Sequence, residues 1–180
     1  MLCDLRDPQG RLLLLHRLKD PNKDLYSPIG GKLDVETGES PAQCAQREIQ
    51  EEAGVEIDID RLRLVGMISE RGYPAKAGSA DGGRTNWLLF YYRVMGPVSF
   101  EPFEMREGRL EWIEPERVHD LPLPETDRSI IWPLVEAHGT DGFFAVHIDC
   151  EGARLQWRVE QSVGASKPFD ATGEAPGGAG

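Results

Sequence analysis

The chain has 180 residues, enough for one domain with a sizeable core and too few for two full domains. Charged residues make up 28% and the net charge is -11, which excludes a chain that tracks a polymeric phosphate backbone through a basic groove. Free nucleotides, met through a metal ion, are not excluded.

Cys3, Cys44 and Cys150 are odd in number and lack metal-ligand spacing, so they read as free thiols of a reducing compartment. The longest apolar cluster near the start, Leu12 to Leu15, is far too short to span a bilayer. Asp4, Arg6 and Asp7 interrupt any signal-peptide core, and the expected location is cytoplasmic. Met1 falls inside the first expected strand, an abrupt start that predicts residues missing before it.

Residues 1–6 and 11–18 read as two strands of a hairpin, joined by Asp7-Pro8-Gln9-Gly10 with proline second and glycine fourth. His16 and Arg17 end the second strand. After a polar loop at 19–23, Leu25-Tyr26-Ser27-Pro28 leads into Ile29-Gly30-Gly31, where paired glycines permit a close backbone approach. Tyr26 either flanks a site or covers a sheet edge. Lys32 either meets a phosphate or points to water.

A helix is expected over 41–53. Ser40 is the N-cap, Pro41 takes the first helical position, Gln43 completes a capping box and Gly54 ends the helix as a left-handed C-cap. Ala42, Ala45, Ile49 and Ala53 form a narrow apolar stripe for a sheet, while Glu48, Glu51 and Glu52 crowd one flank. Glu52, nearest the stripe, is expected to be the least hydrated. Like charges at this spacing repel, and Arg47 alone cannot neutralise three carboxylates. A hard, oxygen-preferring cation such as Mg²⁺ or Mn²⁺ can. The plain alternative is a solvated acidic face.

At this stretch the chain resembles the Nudix hydrolases. Glu39, Arg47, Glu48, Ile49, Glu51, Glu52, Gly54 and Val55 match that family's signature, including the seven residues between Glu39 and Arg47. Seven residues separate Gly31 from Glu39, two more than the family's usual spacing, and the extra pair lies within 34–37. The resemblance implies that Glu48, Glu51 and Glu52 carry the metals, that the carbonyl of Gly30 or Gly31 adds a ligand, and that Glu39 holds Arg47. One glutamate would orient or deprotonate water, and the resemblance does not choose which. Arg17 would face substrate phosphates. Glu107, with Glu104 as the next choice, would add a carboxylate from the loop at 96–108. The implied reaction is hydrolysis of a diphosphate linked to a further group, with Mg²⁺ or Mn²⁺ as cofactor.

Further along, residues 55–59 alternate and 62–68 form a clearer strand. Residues 70–84, rich in glycine, read as a long loop, either a lid or without function. Residues 85–94 read as a buried central strand. Glu111-Trp112-Ile113 followed by Leu121-Pro122-Leu123-Pro124 resembles the Nudix subgroup of oxidised-dGTP pyrophosphatases. A helical turn is expected at 115–121, then a second helix at 126–138 that Pro133 kinks or bounds, covering the opposite sheet face. Residues 143–148 and 154–160 form a hairpin, and the tail from 161 to 180 is expected to be disordered.

The expected fold is α/β, a Nudix α/β/α sandwich with a mixed central sheet, in a single domain over 1–160. The expected substrate is a nucleoside triphosphate, with an oxidised purine nucleotide such as 8-oxo-dGTP the first thought and Tyr26, Asn86 and Trp87 near its base. ADP-ribose, dinucleotide polyphosphates and capped RNA stay open, as does the choice between monomer and homodimer. No polymeric DNA or membrane partner is expected. A nucleotide sensor without activity is expected to lack a box glutamate, and none is missing. A protein-interaction domain is expected to be indifferent to Mg²⁺.

Overall fold

The computed structural model describes residues 1–19, 22–74 and 83–176. The chain forms two compact units, Met1–Leu64 with Phe90–Leu123 and Val65–Leu89 with Pro124–Gly180.

In the first unit, β1 (Leu2–Asp4) runs parallel to the second half of β5 (Arg84–Val94), with Leu2 opposite Tyr91 and Asp4 opposite Arg93. A second sheet places β2 (Leu12–Arg17) between β3 (Tyr26–Ser27) and β6 (Gly108–Ile113), both antiparallel to it. The turn at Asp7-Gly10 forms as the sequence requires. Gly10 donates to the Asp7 carbonyl at 2.9 Å, and the Asp7 carboxylate accepts from the Gln9 and Arg11 backbones. The hairpin expectation is corrected, because the two segments meet only around an Arg6–Leu12 bridge. β1 leaves for β5 because Asp4, fully buried, is held by Arg93 at 2.8 Å, and a buried carboxylate is tolerated only when paired.

The helix α1 (Pro41–Ala53) matches its expected bounds. Gln43 N–H donates to Ser40 Oγ, Ser40 N–H donates to Gln43 Oε1, and Gly54 closes the end at φ 68°. It packs Ala45 and Ile49 against Cys3, Leu13, Leu15 and Leu110 in one core. Residues 55–58 form no strand. The Ile57 carbonyl accepts from the Gln46 side chain at 2.7 Å, and a 3₁₀ turn at Ile59–Arg61 follows.

In the second unit, β4 (Leu62–Pro74) runs parallel to β7 (Phe143–Asp149), which pairs antiparallel with β8 (Arg154–Val163). β4 is longer than expected, since Ser69 to Arg71 still pair with His147 to Asp149. The ends of the supposed loop at 70–84 are therefore strand, and its centre, 75–82, lies outside the described residues. β5 is fully buried only over Tyr91 to Val94.

The second helix opens at 125–126, widens into a π-helical turn over Asp127–Ile131 and continues as α2 (Trp132–His138). Pro133 has no N–H to offer the preceding turn, so one carbonyl of that turn lacks its usual helical partner. The tail departs from its expected disorder, because β9 (Thr172–Pro176) pairs with β8. Composition does not register its anchors. Trp157 Nε1 donates to the Asp170 carbonyl at 3.1 Å, Ser166 N–H donates to the Ala137 carbonyl at 2.7 Å, and the Phe169 ring lies 5.1 Å from that of His138. The fold is α/β with a mixed sheet. No described helix is long and apolar enough to cross a membrane.

Candidate active site

All the residues expected to carry metal or phosphate lie in the first unit. Arg47 sits at the centre of their network. Its Nε donates to Glu39 Oε2 at 3.1 Å and its Nη2 to Glu39 Oε1 at 2.8 Å, a bidentate pair of the strong kind. Its Nη1 reaches Glu48 Oε1 at 2.7 Å and Glu51 Oε2 at 3.2 Å, and Nη2 also reaches the Lys32 carbonyl at 3.1 Å. The guanidinium thus fastens the loop before α1 to the acidic flank of the helix. Hydrogen bonds from Arg47 and from the Asp34 backbone N–H, at 2.6 Å, hold the Glu39 carboxyl down at about 2.

The two inserted residues are absorbed locally. Asp34 Oδ1 accepts from the backbones of Glu36 and Thr37 at 3.0 and 3.2 Å, closing an exposed Asx turn, while its own N–H braces Glu39. Sequence reading missed that brace, although an aspartate three residues before a threonine is a recognisable turn signal. Cys44, expected as a free thiol, is buried with its sulfur 3.5 Å from both the Lys32 carbonyl and Arg47 Nη2.

The glycines are explained by close approach. A Cβ on Gly31 would run into the Glu48 carboxyl, and one on Gly30, at φ 147°, would run into the Met1 carbonyl. Gly30 N–H donates to Glu52 Oε2 at 2.8 Å, and the Gly31 carbonyl accepts from the Met1 amino group at 2.6 Å. This packing corrects one expectation. Glu48, lying under Gly31, is the least exposed of the three glutamates at 8%, and Glu52 is half-buried. The Glu52 carboxyl end is nonetheless desolvated. Burial first, with the charges of Glu48 and Glu107 adding to it, pushes its pKa up to about 7 against the opposing effects of Gly30 N–H and Arg17.

Arg17 continues the inward alternation of Leu13 and Leu15 on β2 and lies 3.7 Å from Glu107, whose side chain is largely exposed. Both contribute to the field at Glu52. Glu104 is exposed, and its backbone forms an isolated antiparallel bridge with Arg109. Lys32 is exposed, its carbonyl engaged by Arg47. Tyr26 is not brought to the glutamates. It is the cross-strand partner of His16, on the face of β2 opposite Arg17, where the two rings stack 4.5 Å apart and Tyr26 Oη donates to Glu111 Oε1. In the second unit, Asn86 Oδ1 accepts from Gly72 N–H at 2.9 Å.

Among the described residues, no three His, Cys, Asp or Glu side chains converge as a ready metal cage. The donor set still fits a hard divalent cation. It is all oxygen, and Arg47 answers Glu48 and Glu51 but has no bond to Glu52, whose pKa is raised by burial first and then by the charges of Glu48 and Glu107.

An α/β chain with a glycine turn laid over an arginine-braced glutamate helix defines a class, and the comparisons agree. The NUDIX domain matches residues 1–134. A relative in Bacillus subtilis strain 168, the uncharacterised Nudix hydrolase YvcI, is 25% identical over 122 residues, 68% of this chain and 72% of that one. The MutT protein of Bacillus halodurans superposes with a TM-score of 0.67 at 23% identity, covering 88% of this chain and 95% of its own. The NUDIX domain of Shewanella oneidensis NrtR, solved with ADP ribose, gives 0.50 at 18%, covering 68% and 74%. These two likenesses speak for the fold. The chain belongs to the Nudix family and is a hydrolase of that family.

Proposed function

We propose that this hydrolase is a Mg²⁺- or Mn²⁺-dependent pyrophosphohydrolase that cleaves a nucleoside triphosphate to the monophosphate and pyrophosphate. The observation that carries the reading is the convergence of Glu48 and Glu52 on the Gly30–Gly31 turn, next to an Arg47 already committed to Glu39, Glu48 and Glu51.

Glu48, Glu51 and Glu52 would hold the cation, with a carbonyl of the glycine turn and Glu107 as further oxygen donors. The bound cation offsets charge on the diphosphate and lowers the pKa of water. Glu39 acts at a distance, fixing Arg47 and through it the Lys32 carbonyl and Glu48. Arg17 and the exposed Lys32 supply positive charge for the phosphates, and one glutamate takes the proton of the attacking water.

The test is pyrophosphate and phosphate release from the purified chain with Mg²⁺ or Mn²⁺. It compares canonical and oxidised nucleoside triphosphates, ADP-ribose, dinucleotide polyphosphates and capped RNA. Pyrophosphate from a triphosphate, with an oxidised purine nucleotide preferred, is the expected result. Turnover of ADP-ribose or a dinucleotide polyphosphate alone would overturn the substrate assignment, and nucleotide binding with no turnover would overturn the catalytic one.

A further inference from the structure

The edge of β6 that faces away from β2 is closed at one end and open at the other. Gly108 and Met105 exchange backbone hydrogen bonds at 2.8 and 3.3 Å, and Leu110 N–H donates to the Phe103 carbonyl at 3.1 Å. Orientation repeats every second residue of a strand, so the N–H and C=O of Trp112 point outward as well. Its cross-strand partner agrees, because Leu13 turns its own N–H away from β6 to the Leu5 carbonyl at 2.9 Å. Continued pairing would set Trp112 opposite Glu101. It ends instead at Pro102, and only the Trp112 indole is answered, its Nε1 donating to the Phe100 carbonyl at 3.2 Å. Among the described residues the backbone N–H and C=O of Trp112 have no hydrogen-bond partner.

A cavity of about 750 Å³ lies against this open stretch, lined by β6, by the Asp7 turn and by the segment 99–102, all in the first unit. It sits towards the Ile113 end of β6, whereas Arg17 is paired with Gly108 at the other end. Its walls are fixed in advance. The Asp7 carboxylate ties down the backbones of Gln9 and Arg11, and Val98 N–H donates to the Arg6 carbonyl at 2.8 Å.

We propose that this open edge of β6 takes a short, extended, basic peptide, which joins the sheet as an added strand beside 110–112.

An unpaired strand edge is a template for such an addition. The peptide carbonyl accepts from Trp112 N–H, and a peptide N–H donates to the Trp112 carbonyl. Apolar side chains meet an aromatic strip, in which the Phe100 ring lies 5.3 Å from that of Trp112 and 6.4 Å from that of Phe103, itself 42% exposed. Charge selects the peptide's sign. Arg11 is committed to Asp7 and Arg109 to Glu111, which leaves the exposed Glu101 as the unpaired charge of the lining. A lysine or arginine answers Glu101 and can lay its stem along the rings. A phosphate ligand finds both arginines already neutralised, and a second copy of a chain of net charge -11 would bring like charge to like.

The test is an NMR titration of the isotope-labelled full chain with a blocked pentapeptide, Lys-Val-Lys-Val-Lys. It is compared with the same peptide N-methylated at its inner residues and with Glu-Val-Glu-Val-Glu. The basic peptide should shift the Trp112 amide signal and slow its hydrogen exchange about tenfold or more. It should bind at least about tenfold more tightly than the N-methylated form, the usual effect of losing one or two backbone hydrogen bonds, and more tightly than the acidic peptide. Glu101→Arg, an exposed change that leaves the walls intact, should reverse the preference between the basic and acidic peptides. No binding at millimolar peptide, equal binding of the N-methylated form, shifts that bypass Trp112, or a charge preference that survives Glu101→Arg would overturn the proposal. Trp112 protection that grows with protein concentration and no peptide would also overturn it, marking the edge as an interface between copies.

Discussion

Gly30 and Gly31 are neighbours, yet what presses on each differs, and substitutions there should separate stability from function. The nearest atoms to a methyl on Gly31 all belong to the movable end of the Glu48 side chain. Gly31→Ala should therefore leave the melting temperature nearly unchanged while displacing the Glu48 carboxyl. Mn²⁺ binding, followed by electron paramagnetic resonance, should weaken about tenfold or more. A methyl on Gly30 meets the Met1 backbone at a φ that side chains avoid. Gly30→Ala should lower stability by about 1–3 kcal/mol in thermal melts. Equal effects of the two on metal binding would mean that the turn is only a structural element. Glu52→Gln keeps size and removes charge. It should cut pyrophosphate release by about a hundredfold or more with no loss of folding, and unchanged turnover would remove the proposed chemistry.

Among the elements, those specified by neighbouring residues were legible in the sequence and those specified by distant partners were not. The bounds of α1 follow from Ser40, Pro41, Gln43 and Gly54, all within one turn of its ends. The crowding of Glu48, Glu51 and Glu52 on one flank followed too, while the hold of Glu39 on Arg47, seen here across a single loop and helix, came only from the family resemblance. The fate of β1 depended on Arg93, far along the chain, and that of the tail on Trp157 and Ala137. The two readings left open for Tyr26 could have been narrowed from local pattern. The alternation Leu13, Leu15, Arg17 already assigns His16, and hence its partner Tyr26, to the other face of β2. The buried Glu70 of β4 gave no signal, since burial of a lone carboxylate cannot be read from local pattern. The anchors of β9 lead to a prediction of their own. Ending the chain after Gly164 would remove β9 and the Phe169–His138 contact, and should lower the melting temperature by several degrees while pyrophosphate release persists. An unchanged melt would show that β9 adds nothing to stability.

The whole molecule should respond to pH through its raised carboxyls. Glu70 moves from 4.5 to about 7 on folding, so the folded chain holds that proton more tightly. Its contribution to stability is fully present below about 4.5 and is lost as pH rises through about 7, amounting to roughly 3 kcal/mol at most. Melts of the metal-free protein should therefore fall between pH 5 and pH 8, and the slope should flatten in Glu70→Leu. An identical slope in the variant would place the pH response elsewhere. Glu39 works in the opposite sense. Its stabilising contribution is present above about 4.5 and disappears only as pH drops towards 2, so it leaves the neutral range untouched.

The turn formed by the two inserted residues closes on Asp34, with Val35 at its tip 77% exposed. All three native thiols are buried. A dye attached through Val35→Cys would therefore react at one position, a few residues from the Lys32 carbonyl that Arg47 holds. The insertion amounts to a ready-made handle, from which fluorescence can follow events at the carboxylate helix in real time without altering any group that performs them.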